Sequence, residues 1–266
     1  MSNWRAGILL ALSTALLWAT LPIAAKLALK GLDPFTLTWV RFVVAAVVTL
    51  AWVGWRHGFA RFRNLRPSTW AWLALAALTL VGNYLLYLVG LDLTTPANAQ
   101  VLIQTAPLMM GLGGVLLFKE RFRPIQWIGL AVLLAGMSMF FSDQLMALVR
   151  EAQTYIGGVA VIFAAAISWA AYALIQKKLG PQIDGQAVLL VVYLVGAVVL
   201  MPLGTPSAVL HLSVEAGWAV AYCCVNTVLA YGAFAASVQL WDSSRVSAVL
   251  TLTPLGTLLL VQAITG

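Results

Sequence analysis

The sequence predicts an all-α polytopic membrane protein built from two inverted-topology five-helix repeats, a ten-helix fold of which nine helices fall within this chain. Three observations predict it. The 266 residues are 62% hydrophobic and only 9% charged, whereas a soluble domain carries roughly a quarter charged residues. The apolar residues form runs long enough to cross a bilayer, about 20 residues each, separated by short charged clusters. One pattern also occurs twice: Tyr231, Phe234, Leu240 and Pro254-Leu255 repeat Tyr84, Tyr87, Leu93 and Pro107-Leu108 at a spacing of 147 positions.

The first span is expected at about 6–29. Its start, Arg5 followed by Gly7 to Ala25, resembles a secretory signal, but its apolar core is too long and many similar runs follow it. Spans 2 to 5 are expected at about 35–56, 68–91, 95–118 and 123–142, and spans 6 to 9 at about 154–178, 185–204, 214–240 and 243–264. Pro34, Pro67, Pro96 and Pro124 fall at or just before span starts, where a missing N–H costs least. No linker separates domains; the two repeats are expected at 1–146 and 147–266.

The net charge of +7 reflects topology, because the basic residues lie between apolar runs and form no phosphate-binding face. No nucleic acid is expected as a partner. With the N-terminus in the cytoplasm, 11 Lys/Arg lie inside (Arg5, Arg56, Arg61, Arg63, Arg66, Lys119, Arg121, Arg123, Lys177, Lys178 and Arg245) and 4 outside (Lys26, Lys30, Arg41 and Arg150). The positive-inside rule selects that orientation, in a bacterial inner membrane. Cys223 and Cys224 are adjacent in one span, and His57 and His211 fall in or beside loops. No disulfide, metal site or cofactor is expected from them.

The repeat extends beyond the opening pattern. At an offset of 151, Gly7 meets Gly158, Trp18-Ala19 meets Trp169-Ala170, Lys26 meets Lys177 and Asp33 meets Asp184. A five-helix unit places the second copy upside down relative to the first, the architecture of many secondary transporters with a substrate site near the midplane. The same offset implies a tenth span beyond Gly266.

Ten helices in two inverted halves, with Leu17-Trp18-Ala19-Thr20, Arg41-Phe42, Tyr84 with Gly90-Leu91, Ala97 to Gln104 with Pro107, Phe118-Lys119-Glu120-Arg121, Ser168-Trp169-Ala170 and Thr253-Pro254, resemble the drug/metabolite transporter superfamily and its EamA-type members. The pattern is most similar to bacterial exporters of aromatic and other amino acids. The resemblance implies an alternating-access carrier of a small molecule in a lipid bilayer.

Candidate substrate contacts follow from polar groups at membrane depth. In span 4, Ala97, Gln100, Gln104, Pro107 and Gly111 share one helical face, matched in span 9 by Ser244, Ser247, Thr251, Pro254 and Leu258. Glutamines facing lipid are costly, so that face points to protein or a water-filled cavity; bonds between packed helices are the alternative. Trp18, Trp169, Tyr84, Tyr87, Tyr172 and Tyr231 are mid-span aromatics suited to a pocket wall, with core filling as the alternative. Asn83 adds an amide suited to a zwitterion. Pro107 and Pro254 break backbone hydrogen bonds mid-span and are the expected hinges. No Asp or Glu is expected deep in a span, which favours neutral, partly apolar substrates over cations. Lys26, Lys177 and Arg41 are expected to snorkel or neutralise carbonyl ends. No enzyme is expected, since no histidine or carboxylate accompanies the serines; a passive channel stays open.

Overall fold

The structure, a computed structural model, describes residues 2–56, 59–63, 65–121, 124–148 and 152–265. His57, Arg123 and Arg150, used above, lie outside the described residues. The helices are α1 (Ser2–Ala28), α2 (Pro34–Arg56), α3 (Ala60–Arg63), α4 (Pro67–Asp92), α5 (Pro96–Leu102), α6 (Thr105–Phe118) and α7 (Pro124–Leu148). They continue with α8 (Ala152–Leu179), α9 (Gly185–Leu200), a 3₁₀ turn (Pro206–His211), α10 (Val214–Leu240), α11 (Ser243–Leu250) and α12 (Thr253–Thr265). Among the described residues seven stretches are long and apolar enough to cross a membrane, and two apolar helices, Gln126–Met139 and Gly185–Leu200, are shorter. Leu9, Leu16, Leu78, Leu116, Val198 and Leu259 are exposed, as residues facing acyl chains must be.

α9 stops at Leu200, short of the expected 204. Pro202 has no N–H to continue the ladder, and Met201, still helical in its dihedrals (φ −52°, ψ −47°), leads into a turn. The expected spans 4 and 9 are each two helices rather than one. The ring of a proline clashes with the carbonyl four residues earlier, and the breaks follow that rule. α5 ends before Ile103-Gln104 and α6 carries Pro107 in its first turn; α11 ends before Thr251-Leu252 and α12 carries Pro254 in its first turn. The prolines therefore open the second half of each broken span and do not kink a continuous one. The Leu250 carbonyl freed by Pro254 accepts from Thr253 Oγ1 at 2.7 Å and from Gln104 Nε2 at 3.4 Å.

The two halves clasp each other reciprocally: α1 lies along α10, and α4 lies along α8. The repeat exchanges these two pairs. A hydrogen bond joins equivalent positions in each pair, with the donor on opposite members: Asn226 Nδ2 donates to Leu17 O (2.6 Å) and Ser168 Oγ donates to Thr79 O (2.7 Å). Asp33 and Asp184 each cap the second helix of their half, accepting from Thr36 N and Ala187 N at 3.0 Å, which satisfies orphan amides at the helix start. The α4–α8 contact is close enough that a Cβ on Gly90 would stand 2.4 Å from Ile162 Cγ1, the small-residue packing by which membrane helices approach.

Candidate functional site: a cavity between the halves

Where the broken spans cross, the two halves leave a cavity of about 80 Å³, several times the about 10–15 Å³ that one water needs. α1 contributes Trp18 and Leu21, α2 Arg41, and α4 Asn83, Tyr84 and Tyr87; the first broken span contributes Gln100, Ile103, Gln104 and Pro107. The second half contributes Trp169, Tyr231, Leu250 and Thr253. Leu21, Tyr87 and Gln100 carry the cavity towards the end opposite the basic clusters, while Pro107 and Leu250 lie on its side nearer them.

The wall is aromatic. Trp18 meets Trp169 edge-on at 5.5 Å and Tyr231 at 5.2 Å between ring centroids, and Tyr84 lies 5.3 Å from Tyr231. Such edge and tilted geometries are the preferred ones for aromatic pairs. Asn83 is held by its own donation to Ala165 O at 2.9 Å. The Tyr84 hydroxyl and Gln104 Oε1 are buried without a hydrogen-bond partner.

Of the binding and hinge residues singled out above, Trp18, Asn83, Tyr84, Tyr87, Gln100, Gln104, Trp169, Tyr231 and Pro107 come together here, and Tyr172, Thr251 and Pro254 do not line the cavity. Tyr172 is fully buried behind the wall, packed on Tyr231 and Phe234 at 6.2 and 6.5 Å. It follows Trp169 by three residues, which at 100° per residue turns it about 60° off the cavity face. Thr251 lies in a separate cleft with Gly111, Ser244 and Ser247 and donates to Ala248 O at 2.7 Å. The break between α11 and α12 ends the helical phase that placed Thr251 on the face of Pro254.

Arg41 is the larger correction. Its side chain turns inward and is 2% exposed, with Nε donating to Thr227 Oγ1 at 2.9 Å and the guanidinium 4.5 Å from the Tyr84 ring centroid. Snorkelling fails because Tyr84 and Thr227, from α4 and α10, offer a cation–π face and an oxygen on the inner side. The signal available in sequence was an arginine inside an apolar span, which by default marks a functional position.

On the basic side of Pro107 the two halves are tied together. Ser247 Oγ donates to Pro107 O. Lys119 adopts a left-handed conformation (φ 56°) that ends α6 and turns Glu120 toward α11. There the Glu120 carboxylate accepts from Ser243 N at 3.1 Å and Ser244 N at 3.0 Å and pairs with Lys177 Nζ at 3.1 Å. Burial alone would raise the Glu120 carboxyl; the Ser244 amide, the Lys177 ammonium and the Ser243 amide outweigh it and hold it below its ordinary value. Sequence reading left Glu120 at a helix end without a role.

The EamA-like transporter family matches the chain twice, over residues 5–142 and 156–266. An uncharacterized transporter of Haemophilus influenzae is 37% identical over 253 residues, covering 95% of this chain and 82% of its own. The uncharacterized inner membrane transporter YhbE of Escherichia coli K12 is 35% identical over 256 residues, covering 95% and 79%. An uncharacterized transporter of Archaeoglobus fulgidus is 31% identical over 272 residues, covering 96% and 87%. A solved crystal structure at 23% identity shares the fold with a TM-score of 0.72, over 98% of this chain and 90% of that one.

Proposed function

Because the chain belongs to the EamA-like transporter family, we propose that it is an alternating-access carrier that exports small metabolites, foremost amino acids with aromatic or other apolar side chains. The observation that carries this reading is the cavity itself. It lies at the crossing of two broken helices, takes its lining from both halves, and pairs an aromatic wall with a few convergent polar groups. Apolar walls fix a hydrophobic side chain by area, and sparse amides orient a polar head without holding it too tightly to leave. The breaks at Ile103-Gln104 and Thr251-Leu252 are where the halves rock, with Pro107 and Pro254 keeping those joints from closing into continuous helix.

The lysine and arginine distribution favours a cytoplasmic N-terminus, and the name of the Escherichia coli relative favours a bacterial inner membrane. In that orientation the tied end is cytoplasmic and the cavity leads outward.

Uptake of labelled tryptophan, phenylalanine, threonine and methionine into proteoliposomes tests the reading. Saturable uptake with counterflow is expected for at least one of them, and counterflow separates a carrier from a channel. Absence of uptake for all four, beside clear uptake of another metabolite, removes the amino-acid assignment. Gln104→Leu is expected to weaken uptake; unchanged transport takes Gln104 out of the site.

A further inference from the structure

Arg41 is a permanent cation, since a guanidinium does not lose its proton in a protein. It lines the cavity, and the other lining residues are neutral. Among the described residues no carboxylate pairs with it, and of its five N–H donors only Nε–H has a hydrogen-bond partner, Thr227 Oγ1. A charge this deep in a bilayer protein is retained at a cost when nothing neutralises it. Beside it, the Tyr84 hydroxyl is buried with no well-formed hydrogen bond, the Thr227 and Tyr231 hydroxyls lying nearby. The guanidinium and the phenol are donors waiting for an anion, next to an aromatic wall.

Resting on the reading of this cavity as the substrate site, we propose that Arg41 receives a substrate carboxylate, and that the site selects monocarboxylates with an apolar or aromatic body, the α-amine being dispensable. The two ends of an amino acid meet unequal partners here. The carboxylate meets a guanidinium, which makes charge-assisted and often bidentate bonds, about twice as strong as neutral ones. The ammonium meets no carboxylate among the lining residues, only neutral acceptors such as Gln104 Oε1. One guanidinium matches one negative charge, which fits a carboxylate better than a phosphate dianion.

The test uses the full chain with four probes: phenylalanine, 3-phenylpropionate, phenethylamine and phenylalanine methyl ester. Binding is followed by tryptophan fluorescence, since Trp18 and Trp169 line the cavity, and by competition with labelled phenylalanine uptake in proteoliposomes. We expect 3-phenylpropionate to compete within about tenfold of phenylalanine, and the amine and the ester to be weaker by more than about tenfold. Arg41→Gln should abolish the preference for carboxylates, and Arg41→Lys should retain part of it by keeping the charge without the fork. Should Arg41→Gln fail to fold, Thr227→Val keeps the cation, frees its Nε, and is expected to narrow the same preference.

Equal competition by the amine or the ester overturns the carboxylate site while leaving the amino-acid reading in place. A carboxylate preference that survives in Arg41→Gln overturns the role of Arg41. Conversely, 3-phenylpropionate binding that depends on Arg41, without phenylalanine uptake, upholds the carboxylate site and removes the amino-acid reading. Fluorescence that answers none of the probes removes both.

Discussion

Lys26 and Lys177 stand at equivalent places in the two halves, yet only one of them belongs to a buried lock. Both ammonium groups reach across to the carbonyl end of the partner helix: Lys26 to Leu91 O and Asp92 O at 2.9 and 2.8 Å, Lys177 to Trp241 O at 3.1 Å. Their carboxylates differ. Asp92 is 57% exposed and lies 3.6 Å from Lys26; Glu120 is 7% exposed, lies 3.1 Å from Lys177, and also caps α11. An exposed pair contributes about 0–1 kcal/mol, while each hydrogen bond to a part-buried charge contributes about 1.5–3 kcal/mol. Near-symmetric backbones thus carry unequal ion pairs, the part-buried one at Glu120 and the exposed one at Asp92.

The largest effect is expected at Glu120. Glu120→Gln keeps an acceptor for one amide but loses the charge that holds Lys177, so about 2 kcal/mol of closure should vanish, a shift of about thirtyfold in the open population. A cysteine introduced at Ala106, which also lines the cavity, with Cys223 and Cys224 replaced by alanine, reports this through labelling by an impermeant maleimide from the basic side. Labelling should rise by roughly that factor, and an unchanged rate would mean that the lock holds nothing. The pH dependence has a definite sign. Because the folded Glu120 sits below its ordinary value of 4.5, its contribution is complete above that value and is lost only as pH falls through the lowered one. Labelling of the unsubstituted lock should therefore be flat through neutral pH and rise only in acid.

Ser247→Ala sharpens the comparison at a smaller scale. The hydroxyl bonds the Pro107 carbonyl across the two broken spans, on the same side as Glu120. One neutral hydrogen bond contributes about 1 kcal/mol, so the same labelling should rise about fivefold. If it rises as far as in Glu120→Gln, the closure resides at the proline joint instead of the α6 end.

What could be read from the sequence divides along the same line. Asp33 and Asp184 were legible as a repeated pair, and their capping role is local, settled within three residues. The repeat of Lys26 on Lys177 was legible too, but their partners come from α4, α6 and α10, and no local pattern names them. Arg41 was misread because its position in α2 says how deep it lies and not which way it turns; Tyr84 and Thr227 decide that from other helices. Gln100 and Gln104 line the cavity, and their shared face belongs to a span where lipid would penalise them. Thr251 lies outside the cavity because the break between α11 and α12 interrupts the periodicity that put it on the face of Pro254. Tyr172 lies behind the wall, since an aromatic with a polar tip reads alike in a wall and in the core behind it.

Lys26→Met carries the smallest expected effect and the sharpest meaning. If the end near Asp92 is open at rest, removing the ammonium takes away two carbonyl contacts and an exposed ion pair from a region that is already parted. The resting conformation should then move by less than about 1 kcal/mol, with Ala106→Cys labelling from either side changing less than about fivefold. Transport should be more sensitive under the proposed alternating access, in which this end closes once per cycle and Lys26 is placed to do there what Lys177 does at the other. A variant with normal resting accessibility and slowed counterflow would identify Lys26 as the lock of the opposite state. Equal changes in both would mean that the two ends are alike in strength, and that the asymmetry between Asp92 and Glu120 has no bearing on which end rests shut.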